Sequence, residues 1–423
     1  MKKILEKLLA SLAKKILRKY KPRVIGITGS IGKTSAKEAI FSVLKDKFVV
    51  RQNIKNYNNE LGVPLTIINV ETGGHSLLKW FSVFVRAIKL ILITEKKYPE
   101  ILILEMGADK PGDISYLTEI ASCNIGVLTK IGPTHLEFFG SIENVAKEKQ
   151  KIITHLNKED FAIVNFDDEW VRRVTVKTKA NIISFGYSDD ADVRAVDLSE
   201  QGSGMQLAGI QFKLVYKGSA VPVFLPGVVG AHQINSALAA AAVGLSLGMN
   251  LVEISDGLKN YHPPKGRMNL LEGIKNSLII DDTYNSSPEA ASAALLALKN
   301  LNINEVKNKV AILGDMLELG DISEQAHIEL GREAVEAGVS LLVAVGKYRE
   351  STIAGAGEAG LENVLAIENS DLLQDKIVEL INENSLILVK GSQGSRMEKV
   401  VKALLREPAR ASELLVRQTD DWQ

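Results

Sequence analysis

"GITGSIGKTSAKEAI", residues 26–40, decides the fold: a glycine-rich turn ending in Gly32-Lys33-Thr34 joins an apolar run to a helix-like one. The general phosphate-binding loop reads G-x-x-x-x-G-K-[ST], and its backbone N–H groups and lysine cradle nucleotide phosphates. Its first glycine would fall at Ile27, whereas glycines stand at Gly26 and Gly29. The preceding "RVIGIT" predicts a short strand, and residues 33–44 predict a helix with Ala36, Ala39, Ile40 and Val43 inward. Strand, turn and helix in this order are the context a phosphate loop requires. The alternative is a glycine turn that merely ends in Lys-Thr.

Outward from the turn, "EILILEMGAD" and "NIGVLTKIGPTH" predict strands that are apolar on both faces, hence central in a parallel sheet. A β-rich stretch covers residues 182–225, and an alanine-rich helix, "NSALAAAAVGLSLG", follows. The two prolines of "YHPPKGR", residues 261–267, mark a domain junction and a candidate hinge. Beyond it "SLIIDD", "VAILGD", "LLVAVG" and "SLILVKGS" alternate with helical stretches, the βα rhythm of a doubly wound sheet. The fold class expected is α/β, with a central phosphate-loop ATPase domain on a mostly parallel sheet and a C-terminal, Rossmann-like doubly wound domain. The boundaries expected are 1–23 for a basic N-terminal helix, 24–264 for the ATP-binding domain and 265–423 for the C-terminal domain.

At 423 residues the chain exceeds one ordinary core. Its 51 basic and 51 acidic residues balance, which gives no sign of a nucleic-acid partner. The single cysteine, Cys123, excludes an intramolecular disulfide and a Cys-rich zinc site. Residues 1–23 hold nine Lys or Arg against Glu6 and predict an amphipathic helix with Leu5, Leu8, Leu12 and Ile16 on one face, ended by Pro22. Lys7, Lys14 and Lys15 interrupt its apolar residues, so no signal peptide is expected. No run of about 18 uncharged apolar residues occurs, so no transmembrane helix is expected.

Three further residues carry candidate chemistry. Glu105 closes the strand "ILILE", where a carboxylate points either to a Mg²⁺ ion beside the phosphates or to a neighbouring loop. His135, in "GPTHLEFFG", follows another such strand and should face the same crevice. Lys149 has Val145, Ala146, Ile152 and Ile153 one turn away, while Lys147 has Glu143, Asn144, Gln150 and Lys151. Lys149 is therefore inward and Lys147 outward. A desolvated amine loses proton affinity, and a neutral amine reacts with CO₂ to give a carbamate, itself a metal ligand. The alternative is a packed stem whose ammonium reaches out to water.

In chain order, "GITGSIGKTS", "NYNNELGVPLT", "EMGADKPGDI", "GPTHLEFFGSIENVAKEKQKI", "DDTYNSSPEA", "LGDMLELGDIS" and "VKGSQGSRME" resemble the motifs of the Mur ligases, over roughly residues 24–400. That family's loop is the shorter G-x-x-G-K-[ST], matched by Gly29, Ser30, Ile31, Gly32, Lys33 and Thr34, with Ser35 following. The resemblance implies ATP-dependent amide formation through an acyl phosphate. Lys33 would bind the β- and γ-phosphates. Thr34 and Glu105 would hold one Mg²⁺, and His135 with a carbamate on Lys149 a second. Asn235 would lie near the adenine, Arg267, Asp282 and Asn285 would contact the nucleotide, and Lys390 and Ser392 would lie near the incoming amino component. The branch matched best joins D-alanyl-D-alanine to a UDP-N-acetylmuramoyl tripeptide during cell-wall peptidoglycan synthesis. The resemblance thus implies small-molecule partners, no nucleic acid, a monomer and a cytoplasmic site of action.

Two departures bear on substrate and location. Family members carry an N-terminal domain that binds the UDP portion, whereas about one helix precedes the phosphate loop here. The alternatives are a ligase with another acceptor (a folate, a poly-amino acid, a different wall peptide) or a nucleotide-binding scaffold without turnover. Second, residues 71–100 are longer than the family pattern. "HSLLKWFSVFVRAIKLILI" sets His75, Lys79, Ser82, Arg86 and Lys89 on one narrow stripe of an otherwise apolar helix. It is either buried against the ATPase domain or interfacial, with Trp80, Phe81 and Phe84 inserted into a membrane. The latter, with residues 1–23, would give a peripheral contact at the inner membrane surface.

Overall fold

The computed structural model describes residues 2–53, 57–134, 136–203, 206–301, 303, 305–419 and 422. The chain divides into two compact units. The first takes the chain up to Asp197 with Phe212–Val223 and Ile234–Tyr261, and the second takes Leu198–Gln211, Phe224–Gln233 and the chain from His262 onward.

Strands β1 (Arg23–Thr28), β2 (Val50–Gln52), β3 (Ile101–Glu105), β4 (Ile125–Leu128), β5 (Phe161–Asn165) and β6 (Asn181–Gly186) pair in parallel, in the order β2-β3-β1-β4-β5-β6. The sheet continues through β7 (Val193–Ser203), β8 (Gln206–Tyr216) and β9 (Ser219–Pro226). Lys217 and Gly218, at φ +47° and +79°, link β8 to β9, a two-residue turn that only antiparallel strands accept. β3 and β4 are buried along their whole length, as continuous apolar strands inside a parallel sheet must be. They flank β1 on its two sides, with Ile27 opposite Glu105 and Thr28 opposite Leu128. The turn after β1 therefore stands between two other strand ends, where open α/β sheets bind ligands.

Helix α1 (Lys2–Tyr20) ends before Pro22, and Arg23 already opens β1. Its inward face is the one expected except at Leu8. Leu9, Ala13 and Ile16 are fully buried in the first unit's core, Leu5 and Leu12 pack at its margin, and Leu8 is exposed. Period alone could not separate Leu8 from Leu9, because both lie within one helical turn of the same apolar stripe. Helix α2 (Lys33–Leu44) buries Ala36, Ala39, Ile40 and Val43 as expected. Helices α3 (Gly62–Ile68) and α4 (Leu77–Leu92) both pack against α1. Burial of α4 holds for one face only: Val83, Ala87 and Leu90 are buried, Trp80, Phe84 and Ile91 lean on the core, and Phe81 faces out.

In the second unit, β10 (Asn269–Glu272), β11 (Leu278–Asp282), β12 (Asn308–Gly314), β13 (Leu341–Val345), β14 (Val364–Ile367) and β15 (Ser385–Lys390) form a six-stranded sheet, ordered β10-β11-β15-β12-β13-β14. Only β10 is antiparallel to its neighbour. Alternate residues feed two cores: Leu278, Ile280, Ala311 and Leu388 enter one, Ile279, Ile312, Ile387 and Val389 the other. Two cores on two faces are what a doubly wound sheet requires. The edge strands β10 and β14 are four residues each, shorter and less buried than the four central ones.

Because Leu9 is sealed in the core and Leu8 is not, Leu9→Ala should cost the first unit about 2–5 kcal/mol in urea unfolding. Leu8→Ala should stay within about 0.5 kcal/mol. Equal costs would show that α1 does not pack through this face.

Candidate active site

The turn after β1 is held open by what it touches. Gly32 adopts φ +85° at the N-terminus of α2, a left-handed conformation that glycine takes without strain. At Gly29 an added Cβ would lie 2.0 Å from the Thr129 hydroxyl, so no side chain fits there. The segment after β4 braces the other side. Ser30 N donates to Lys130 O at 2.6 Å, the Ser30 hydroxyl meets Gly132 at 3.0 Å, and Thr129 donates to Ile31 O at 2.7 Å. The N-terminus of α2 is thereby aimed from a fixed loop, the arrangement that binds phosphate. Ser35, in the first turn of the helix, is buried.

Two lysines converge on this loop. Lys33 Nζ donates to Gly29 O at 2.8 Å, and Lys149 Nζ to the same oxygen at 3.1 Å. Lys149, in the helix Ile142–Lys149, is 2% exposed, while Lys147 faces water, as the helix-face argument expects. Burial, and after it the neighbouring Lys33 charge, push the Lys149 amine down to about 7. Asp109 and Glu148 oppose that shift without cancelling it.

Glu105 completes the group. Its Oε2 accepts from Thr34 Oγ1 at 3.0 Å and its Oε1 from Asn58 Nδ2 at 3.0 Å. Asn53 fixes the strand end by pairing with both the N–H and C=O of Glu105, at 2.9 and 3.2 Å. Lys37 in turn donates to Asn53 O at 2.8 Å. A hydroxyl and a carboxylate side by side are the hard oxygen donors that Mg²⁺ takes, so these residues fit that ion. Among the described residues no three His, Cys, Asp or Glu side chains cluster for a metal. His135 lies outside the described residues. Asn235 sits at the start of the helix Ile234–Ser246, which packs on α2, and its buried Oδ1 has no hydrogen-bond partner among the described residues.

The second unit gathers its own group at the ends of β11 and β15, where Asp282 and Lys390 are register partners. Lys390 Nζ, 2% exposed, lies 2.5 Å from Asp282 Oδ2 and donates to Asn285 O at 3.0 Å. Ser392 accepts from Leu317 N at 2.9 Å and donates to Ser286 O at 3.2 Å. Arg267 stacks over the Tyr284 ring at 4.1 Å. Burial raises the Asp281 carboxyl to about 6, against hydrogen bonds from Thr283 that favour its ionised form.

Asn53, Asn58 and Asp281 were not singled out from the sequence. Asn58 lies within the quoted "NYNNELGVPLT", where a run of asparagines before a buried helix was the available signal. Asp281 was hidden beside Asp282, because adjacent strand residues face opposite sides. Glu148, which carries no sequence signal of its own, also belongs to the site. It is buried and accepts from Gly112 N and Ile114 N at the start of the helix Asp113–Ile120, a structural anchor beside Lys149.

With this geometry in view, the likeness to known proteins is specific. A family model described as the Mur ligase middle domain matches residues 85–244, and one described as the Mur ligase glutamate ligase domain matches residues 266–393. The UDP-N-acetylmuramoyl-tripeptide–D-alanyl-D-alanine ligase of Bacillus subtilis (strain 168) is 30% identical over 402 residues, covering 95% of this chain and 79% of that one. The crystal structure of MurF from Acinetobacter baumannii superposes with a TM-score of 0.79 at 29% identity, covering 95% of this chain and 81% of that one. MurF ligase from Thermotoga maritima, in complex with ADP, gives 0.78 at 27% identity over 96% and 84%. The chain belongs to the Mur ligase family.

Proposed function

We propose that this protein is an ATP-dependent, ADP-forming ligase that joins D-alanyl-D-alanine to a UDP-N-acetylmuramoyl tripeptide. The observation that carries the reading is the convergence of Lys33 and Lys149 on Gly29 O beside the Thr34–Glu105 pair. Positive charge and hard oxygen donors meet at a helix N-terminus, which suits a Mg²⁺-bound polyphosphate. The relatives named above supply the substrate pair. The reading carries with it a monomer working in the cytoplasm, where ATP and nucleotide-linked precursors are found.

In the proposed reaction a carboxylate oxygen of the tripeptide attacks the γ-phosphorus, the bond to the β,γ-bridging oxygen breaks, and ADP leaves. The D-alanyl-D-alanine amine then attacks the acyl-phosphate carbonyl, loses a proton and expels phosphate. Backbone N–H groups of residues 29–34 and the Lys33 ammonium hold the β- and γ-phosphates, with Lys33 turning from Gly29 O toward them. Thr34 and Glu105 would hold one Mg²⁺, and Lys149 as its carbamate would hold a second with His135. The ions supply charge neutralisation between three anionic groups that must approach one another. Asn58 and Asn53 keep the Glu105 carboxylate aimed at the loop. Asn235, Arg267, Asp282 and Asn285 are assigned to the nucleotide, and Lys390 and Ser392 to the amino substrate.

The direct test is phosphate release from ATP and Mg²⁺ across a substrate panel. Release should require both the UDP-muramoyl tripeptide and D-alanyl-D-alanine, with the amide product seen by mass spectrometry. Turnover on a glutamylated folate or a single amino acid overturns the substrate assignment, and no turnover with any pair overturns the ligase.

Lys149→Ala should abolish ligation yet leave ATP binding, measured by calorimetry, close to wild type, while Lys147→Ala should be nearly silent. With ¹³CO₂, a carbamate resonance should be present in wild type, absent from Lys149→Ala, and fade as pH falls below about 7. The stability sign follows from the same shift. Between about 7 and the ordinary 10.5 the unfolded chain holds a proton that folded Lys149 has shed, so stability rises with pH across that window. Lys149→Met should flatten that rise in urea midpoints.

Asn58→Ala should lower ligation about 10–100-fold by releasing the Glu105 carboxylate, with the Mg²⁺ requirement moved to higher concentration. An unchanged Mg²⁺ titration would show that Asn58 does not position Glu105.

A further inference from the structure

Helix α4 carries apolar side chains on two faces. At 100° per residue, Leu90, Val83, Ala87, Trp80, Ile91 and Phe84 fall on the face turned to the core. Leu77, Leu78, Phe81, Val85, Ile88 and Leu92 fall together in an outward arc of roughly 100°, and each is between 47% and 85% exposed. A monomeric soluble protein rarely displays a contiguous apolar surface of this kind without a use for it. Along one edge of the arc runs the polar stripe of Lys79, Ser82, Arg86 and Lys89, with Arg86 paired to Glu95 at 2.7 Å.

The neighbouring helix continues the pattern. Lys19 Nζ donates to the carbonyls of Leu90 and Ile91 at 3.0 and 2.9 Å, and the Tyr20 hydroxyl to those of Leu90 and Ile93, each at 3.1 Å. These bonds fasten the end of α1 to the end of α4. Away from the core, α1 displays Lys3, Lys7, Lys15 and Arg18, together with the exposed Ile4 and Leu8.

We propose that the outward face of α4, with the basic face of α1 beside it, is a docking surface for an anionic lipid bilayer. Charge supports this occupant. Residues 1–23 and 77–97 hold fourteen Lys and Arg against two acids, in a chain whose 51 basic and 51 acidic residues balance, so the remainder is net acidic. These two segments are thus net positive in a chain that is otherwise net acidic, the composition of an interfacial helix. A second copy of the chain is a poorer occupant, because a two-fold contact through this face would bring like-charged stripes together. Spanning is also excluded for α4. Its 16 residues reach about 24 Å, short of a hydrocarbon core of about 30 Å, and one face is occupied by protein. No described helix is long and apolar enough to cross a membrane. The helix would instead lie in the interface, with its aliphatic arc in the acyl boundary and its lysines among phosphate headgroups. This inference is independent of the ligase reading, since neither ATP nor substrate enters it.

Flotation of the full-length protein with vesicles tests it. The chain should float with phosphatidylcholine vesicles containing phosphatidylglycerol and remain behind with phosphatidylcholine alone. Binding should weaken at least about tenfold as salt is raised toward 1 M, where the Debye length falls to about 3 Å. The double variant Phe81→Ser/Ile88→Ser removes exposed side chains only. It should keep the wild-type circular dichroism and melting, and lose at least about tenfold in vesicle affinity. Lys3→Glu/Lys7→Glu/Lys15→Glu should abolish flotation. Protein that stays unbound with anionic vesicles at low salt overturns the proposal, as does vesicle binding that the double variant leaves unchanged. Self-association in sedimentation velocity that the double variant abolishes would assign the face to a second copy and equally overturn it.

Discussion

Two lysine amines share one neutral carbonyl oxygen, that of Gly29, and much of the first unit is arranged to make this happen. Lys33 reaches it because it opens α2 directly after the turn. Lys149 reaches it because its helix buries the one face on which it lies. Two ammonium groups on one uncharged acceptor repel, and burial decides which yields: Lys149 loses its proton near neutral pH. The loop consequently presents cationic charge, a helix N-terminus and a reactive neutral amine within one small volume. Any single element could serve elsewhere, but the three together suit a polyphosphate and its metal ions.

The carboxylate side of the site depends on the sheet. Glu105 is positioned by its register against Ile27, which sets it beside the first residues after β1. A shift by one residue would turn it to the other face of the sheet. Asn53 prevents that shift locally by pairing with both backbone groups of Glu105, and Asn58 then fixes the carboxylate oxygen that Thr34 leaves over. The same economy recurs in the second unit, where parallel register alone brings Asp282 opposite Lys390.

What was legible in the sequence follows physical rules. Continuous apolar runs marked β1, β3, β4, β11, β12, β13 and β15, because strands buried on both faces are apolar through their middle and confine polar residues to their ends. Edge strands β10 and β14 are less legible because each is only four residues long, and neither is buried along its whole length. Lys149 was legible through its four helical neighbours, whereas Asn53 and Asn58 were not, because their roles rest on Glu105, 52 and 47 positions away. Local periodicity reports which side chains share a face. It does not report which distant backbone that face will meet.

Helix α4 shows the limit of that rule most clearly. Its periodicity revealed a narrow polar stripe on an apolar cylinder, and an apolar cylinder reads as buried. The core covers one of the two apolar faces, the one bearing Trp80, Phe84 and Leu90. The choice between faces is made by α1, whose Lys19 and Tyr20 bind carbonyls at the C-terminal end of α4. A helix so fastened cannot roll to hide its second face. The exposure of Phe81 and Ile88 is then a consequence of the fold, and the surrounding lysines determine what kind of surface it can meet. Net charge conceals this, because a balanced total is compatible with strong segregation, and only position along the folded chain shows where the positive charge has gone.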